Sequence, residues 1–170
     1  MIGFYIAAVA IFAIYIIATW TLFFFKDRIV PESLSATFYY YKGQFGTGWP
    51  FQVALALGGF CTMVYWIDIA EATGGQYLAF LAAVGFIAVG FAPMFKSGGT
   101  DRAVHIGGAI LSAAASIAYV LFYTTFQWLP FIYLILIDVI AIFTGTLRRS
   151  FVFWLEAIAI LTIYTVLPLL

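Results

Sequence analysis

Charge is what this sequence has least of. Of its 170 residues only 8% are charged, seven basic and seven acidic, and the formal net charge is zero. A soluble domain carries about 25% charged residues. Here 66% of the chain is hydrophobic, more apolar surface than a small water-soluble fold can hide. No basic tract is long enough to track the phosphates of a nucleic acid. A single cysteine, Cys61, excludes an internal disulfide, and its apolar setting fits a small packing residue. A single histidine, His105, excludes a bis-histidine haem site and leaves too few ligands for a zinc site built from His and Cys. No cofactor and no metal are expected.

What the sequence has is long apolar runs. A span needs about 20 apolar residues to cross a hydrocarbon core about 30 Å thick. Six stretches qualify: residues 2–25, 51–70, 75–95, 103–125, 128–147 and 150–170. The first has no positive segment before it and is too long for a signal-peptide core, so it reads as a span and not as a cleavable signal. The break between the fourth and fifth is read from Thr124, Thr125, Gln127 and Pro130. The expected fold is an all-α, polytopic membrane bundle of six transmembrane helices, one domain over residues 1–170. No internal repeat relates the first three spans to the last three.

The basic residues are unevenly placed. Lys26, Arg28 and Lys42 fall in the first loop, Lys96 and Arg102 in the third, and Arg148 and Arg149 in the fifth. The positive-inside rule therefore puts the odd loops in the cytoplasm and both termini outside. Trp49, Trp66, Trp128 and Trp154 fall near span ends, where interfacial anchors belong.

Ionisable residues inside spans are costly, so they are the candidates for function. His105 shares a helical face with Ala109, Ser112 and Ser116, with Gly108 beside it. Small residues there let another backbone approach, which makes a packed, hydrogen-bonded histidine the favoured reading over a proton relay. Asp138 shares its face with Ala141 and Gly145 and is the residue ranked first. Glu156 lies two turns beyond Arg149, within reach of an ion pair with Arg148 or Arg149. Counted from the cytoplasmic ends, the depths are about 14 Å for Asp138, about 9 Å for Glu156 and about 4 Å for His105. These three form the candidate polar cluster, and Ser33, Ser35 and Arg102 are candidate loop contacts. A nucleophile and base made from Ser33 or Ser35 with His105 is a weaker pattern, because it joins two separate loops. Asp68 and Glu71 close the second span as a solvated end or an acidic mouth. The aromatic run from Phe38 to Tyr41 is expected at headgroup depth in the interface.

Three short segments carry a resemblance. They run from Ser33 to Tyr39, from Gly90 to Phe95 and from His105 to Ala109. Their order resembles a group of six-helix bacterial membrane proteins similar to the damage-regulated autophagy modulator and FGF-receptor-activating-protein families. The resemblance covers about the middle half of the chain and implies six helices, with Ser35, Pro93 and His105 at matching positions. It implies no settled activity. The orientation read here departs from it, since those relatives are usually drawn with the first loop on the far side. Seven-helix membrane hydrolases of the alkaline ceramidase and adiponectin-receptor type hold zinc with three histidines, which this chain does not have.

The leading functional reading is a non-enzymatic membrane protein that binds a lipid or small molecule, or serves as an interaction subunit, with the bilayer and other membrane subunits or itself as partners. The alternative is a proton- or cation-coupled channel or carrier using Asp138, Glu156 and His105. A membrane-embedded lipid-modifying enzyme comes third, so the reading leans away from catalysis.

Overall fold

A computed structural model describes residues 2–25, 30–146 and 148–170. Lys26 and Arg28 lie outside the described residues. Seven α-helices and no strand occur among the described residues. They are α1 (Ile2–Thr19, continued as a π-helix over Trp20–Phe25), α2 (Thr37–Phe45), α3 (Trp49–Thr73), α4 (Gln76–Phe91), α5 (Gly99–Tyr123), α6 (Leu129–Phe143) and α7 (Phe151–Val166).

The local chemistry sets the boundaries. Pro50 and Pro130 open α3 and α6, where a missing N–H costs nothing. Gly74 and Gly75, both at positive φ, make the turn from α3 to α4. The end of α6 is a Schellman closure: Gly145 is left-handed, its N–H donates to Ile142 O, and the Thr146 N–H donates to Ala141 O at 2.9 Å.

Four helical segments are long and apolar enough to cross a membrane: Ile2–Phe23, Trp49–Thr73, Gly99–Tyr123 and Phe151–Leu169. The helices α4 and α6, with 16 and 15 residues, are shorter than the stretches read from sequence. At a rise of about 1.5 Å per residue each falls short of a hydrocarbon core about 30 Å thick. The third stretch stops early because Pro93 follows Ala92, which leaves the helical region. The fifth stops early at the Gly145 closure.

Small residues bring the central helices together. A Cβ placed on Gly85 of α4 would lie 2.5 Å from the Gly108 carbonyl oxygen and 2.7 Å from the Ser112 nitrogen, both on α5. One placed on Gly90 would lie 2.8 Å from the Ala56 nitrogen on α3. The middle helix therefore touches both neighbours backbone to backbone, the small-residue logic of membrane packing. The first helix lies against α3, and α6 pairs with α7.

The structure corrects three expectations. Trp66 and Trp154 are buried and are not interfacial anchors, whereas Trp49 and Trp128 are exposed. Trp66 is wholly enclosed and meets Tyr119 edge-on at 5.0 Å. The aromatic run of the first loop forms α2, and Phe38 and Tyr41 are buried against Phe23 and Phe51. Arg102 stands on the first turn of α5 and not in a loop.

Candidate functional site

One end of the bundle is built around an irregular stretch of chain. Residues 30–36 run alongside the start of α7, and a backbone that is not helical must find partners outside itself. The start of α7 supplies them. Ser150 Oγ donates to the Val30 carbonyl at 3.3 Å, and the Phe153 N–H donates to the Glu32 carbonyl at 3.1 Å. The Leu34 N–H donates to Glu156 Oε2 at 2.5 Å, and Ser35 Oγ donates to Oε1 at 3.4 Å. Glu156 therefore clamps a strap 122 positions away in sequence. Neither Arg148 nor Arg149 pairs with it: both are exposed, and the one ion pair among the described residues joins Lys96 to Glu32 at 3.5 Å.

The turn between α4 and α5 closes the site from the other side. His105 is buried and its Nδ1 lies 2.8 Å from the Ala92 carbonyl oxygen. A carbonyl only accepts, so Nδ1 carries a proton. Phe95 stacks on the imidazole at 4.6 Å. Tyr39 accepts the Lys96 N–H through its hydroxyl at 2.8 Å and meets Phe95 edge-on, tying α2 to the same turn.

Between these walls lies a cleft of about 540 Å³. Its polar end is lined by Ser33, Ser35, Lys96, Arg102, His105 and Glu156, and its apolar side by Ile106, Ile110 and Val152. Those three apolar residues are also substantially exposed on the flank of the bundle, Ile110 at 64%. The cleft thus opens sideways between α5 and α7 as well as at the end. A smaller chamber of about 50 Å³ lies behind it and shares Ser35, Ala109 and Glu156. That is room for a water-sized guest. Ser112 lines this chamber, and its buried Oγ makes no hydrogen bond among the described residues. By contrast, Thr21, Thr62, Thr124 and Thr144 each satisfy their hydroxyl on the carbonyl four residues back.

Five of the six residues singled out from sequence border this one cleft: Ser33, Ser35, Arg102, His105 and Glu156. Asp138 does not. It is half-buried on α6, which packs mainly on α7, and it makes no hydrogen bond or ion pair among the described residues. Ser33 is engaged in its own turn, its Oγ accepting the Ala36 N–H at 3.0 Å. No hydrogen bond links His105 to either serine among the described residues, so nothing arranges them as nucleophile and base. Likewise, no three His, Cys, Asp or Glu side chains among the described residues gather as metal ligands. Sequence reasoning missed Lys96, Ile106, Ile110 and Val152. The spacing of Ile106 and Ile110 on the helix that bears His105 was the available signal.

No protein family, curated protein or solved structure was found to match this chain. The likeness drawn from the three short motifs therefore rests on those residues themselves.

Proposed function

We propose that this chain is a six-span membrane protein that binds an amphiphile in the lateral cleft between α5 and α7. The observation that carries this reading is the cleft's two-sided character. Polar and charged groups gather at one end, and an apolar wall runs from them onto the exposed flank. A guest with a polar head and a hydrocarbon body fits such a surface, and in a bilayer that guest is always at hand. The role is binding and not catalysis.

A conducting path finds less support. Beyond Ser116 the bundle is filled by Trp66, Tyr119, Val120, Ile163 and Val166, all without exposed surface. A carrier reading rests on Glu156 and Ser112 bordering one chamber, and it needs a passage through that seal.

Two experiments test the proposal. Ala109 borders both the cleft and the chamber, so Ala109→Phe fills the space they share. The variant should keep its thermal stability in detergent and lose copurifying lipid on native mass spectrometry. Equal lipid in variant and parent would sink the reading. For orientation, the contacts of Glu32 with Lys96 and of Val30 with Ser150 join the first, third and fifth connections at one end, which we assign to the cytoplasm. An impermeant thiol reagent on intact cells should label Ala72→Cys and not Thr100→Cys. The reverse pattern would invert the topology.

A further inference from the structure

We propose that the cleft selects a bilayer lipid with an anionic, phosphate-bearing headgroup, held at Arg102 and Lys96 with an acyl chain along Ile106, Ile110 and Val152. The inference rests on the amphiphile reading above and adds the class of headgroup.

The argument starts from which charges at the cleft are free. One acid, Glu156, lines the cleft, and a second, Glu32, stands just outside it. Glu32 pairs with Lys96, and both oxygens of Glu156 accept from the strap at Leu34 and Ser35. Arg102 is exposed, lines the cleft and makes no ion pair or hydrogen bond among the described residues. Asp101 shares its helical turn but does not line the cleft. Arg102 is therefore the one charged side chain lining the cleft without a partner among the described residues. A guanidinium offers a planar fork of donors that matches phosphate oxygens two at a time. The Lys96–Glu32 pair is solvent-exposed on both sides, 50% and 56%, and such pairs are weak, so a phosphate can share the Lys96 ammonium with Glu32. The first turn of α5 adds N–H groups without helical partners on the same side.

The apolar half points to a lipid and not to a free anion. Ile106 and Ile110 sit four residues apart on α5, one above the other, and they begin one turn beyond Arg102. Val152 faces the same space from α7. A phosphate at Arg102 therefore has an exposed hydrocarbon stripe directly below it, in the direction of the membrane interior.

The test is native mass spectrometry of the full chain in detergent, titrated with phosphatidylglycerol and with phosphatidylcholine of the same acyl chains. Phosphatidylglycerol should bind about tenfold more tightly, the scale of one charge-assisted contact. Arg102→Gln should reduce it to the phosphatidylcholine level. Arg149→Gln, an exposed cation outside the cleft, should leave the preference intact. Equal binding of the two lipids in the parent would overturn the headgroup assignment, as would an equal loss from Arg149→Gln. Displacement of bound lipid by millimolar inorganic phosphate would overturn the lipid assignment in favour of a soluble anion. If Ala109→Phe changes the binding of neither lipid, the cleft reading fails and this proposal falls with it. Loss of both lipids in Ala109→Phe, with equal affinities in the parent, would leave the cleft standing and remove only the headgroup selection.

Discussion

The two ends of this bundle solve the same problem in opposite ways. At the end away from the cleft, α3 turns into α4 through Gly74 and Gly75, and the space between helices is filled by Trp66, Tyr119, Val120, Ile163 and Val166. The Tyr119 and Thr73 hydroxyls share a hydrogen bond at 2.7 Å, so even the polar atom of Tyr119 is spent inside the seal. At the other end a non-helical strap lies against α7. Its N–H and C=O groups have to be satisfied by side chains and helix ends, and Ser150, Phe153 and Glu156 do this. Apolar filling gives a closed end. Satisfying an irregular backbone gives a polar end, and the cleft is what remains beside it. The comparison teaches that a half-buried carboxyl in this fold can be an anchor for chain.

The largest effect should come from breaking the closed end. Trp66→Ala removes a fully enclosed indole and should cost about 3–5 kcal/mol, read as a drop in unfolding temperature in detergent with no change in lipid preference. Next comes the central contact. Gly85→Val should cost about 3 kcal/mol, because its Cβ meets backbone atoms of α5 that cannot move independently. Gly107 on the same helix pair has open space around it, so Gly107→Ala should be neutral or slightly stabilising. At the polar end, Glu156→Leu orphans the Leu34 N–H and should cost about 1–3 kcal/mol. Glu156→Gln keeps a carbonyl acceptor for that N–H and should cost less than about 1 kcal/mol. If Glu156→Gln instead abolished an ion or proton flux with stability intact, the anchor account would yield to a carrier. The smallest effect belongs to Asp138→Asn, expected within about 0.5 kcal/mol of the parent, because Asp138 has no partner to lose among the described residues.

The helical class was legible from hydropathy because six apolar runs leave little else for the chain to do. The face of His105, Ser112 and Ser116 was legible from spacing alone, and all three side chains are buried. The role of Glu156 was not legible, since its partner is the backbone N–H of Leu34 and no side-chain pattern marks a backbone donor. That Asp138 lies away from the cleft was hidden for a related reason. Depth along a helix says nothing about how many neighbours that helix has, and α6 leans mainly on α7. Trp66 and Trp154 were misplaced because position near a span end does not say whether a ring faces the membrane or the bundle. The Phe38–Tyr41 run looked interfacial for its composition, yet its pairing with Phe23 and Phe51 depends on residues far away in sequence.

The central claim is that an amphiphile sits between α5 and α7, and photocrosslinking tests it most directly. A phosphatidylglycerol carrying a diazirine in its acyl chain would be irradiated with the protein, and the adducts mapped by peptide mass spectrometry. The account predicts adducts concentrated on Ile106, Ile110 and Val152 and suppressed by Ala109→Phe. Adducts spread evenly over the exposed apolar residues of α6, such as Ile135, Ile142 and Phe143, with no enrichment at the cleft, would contradict it.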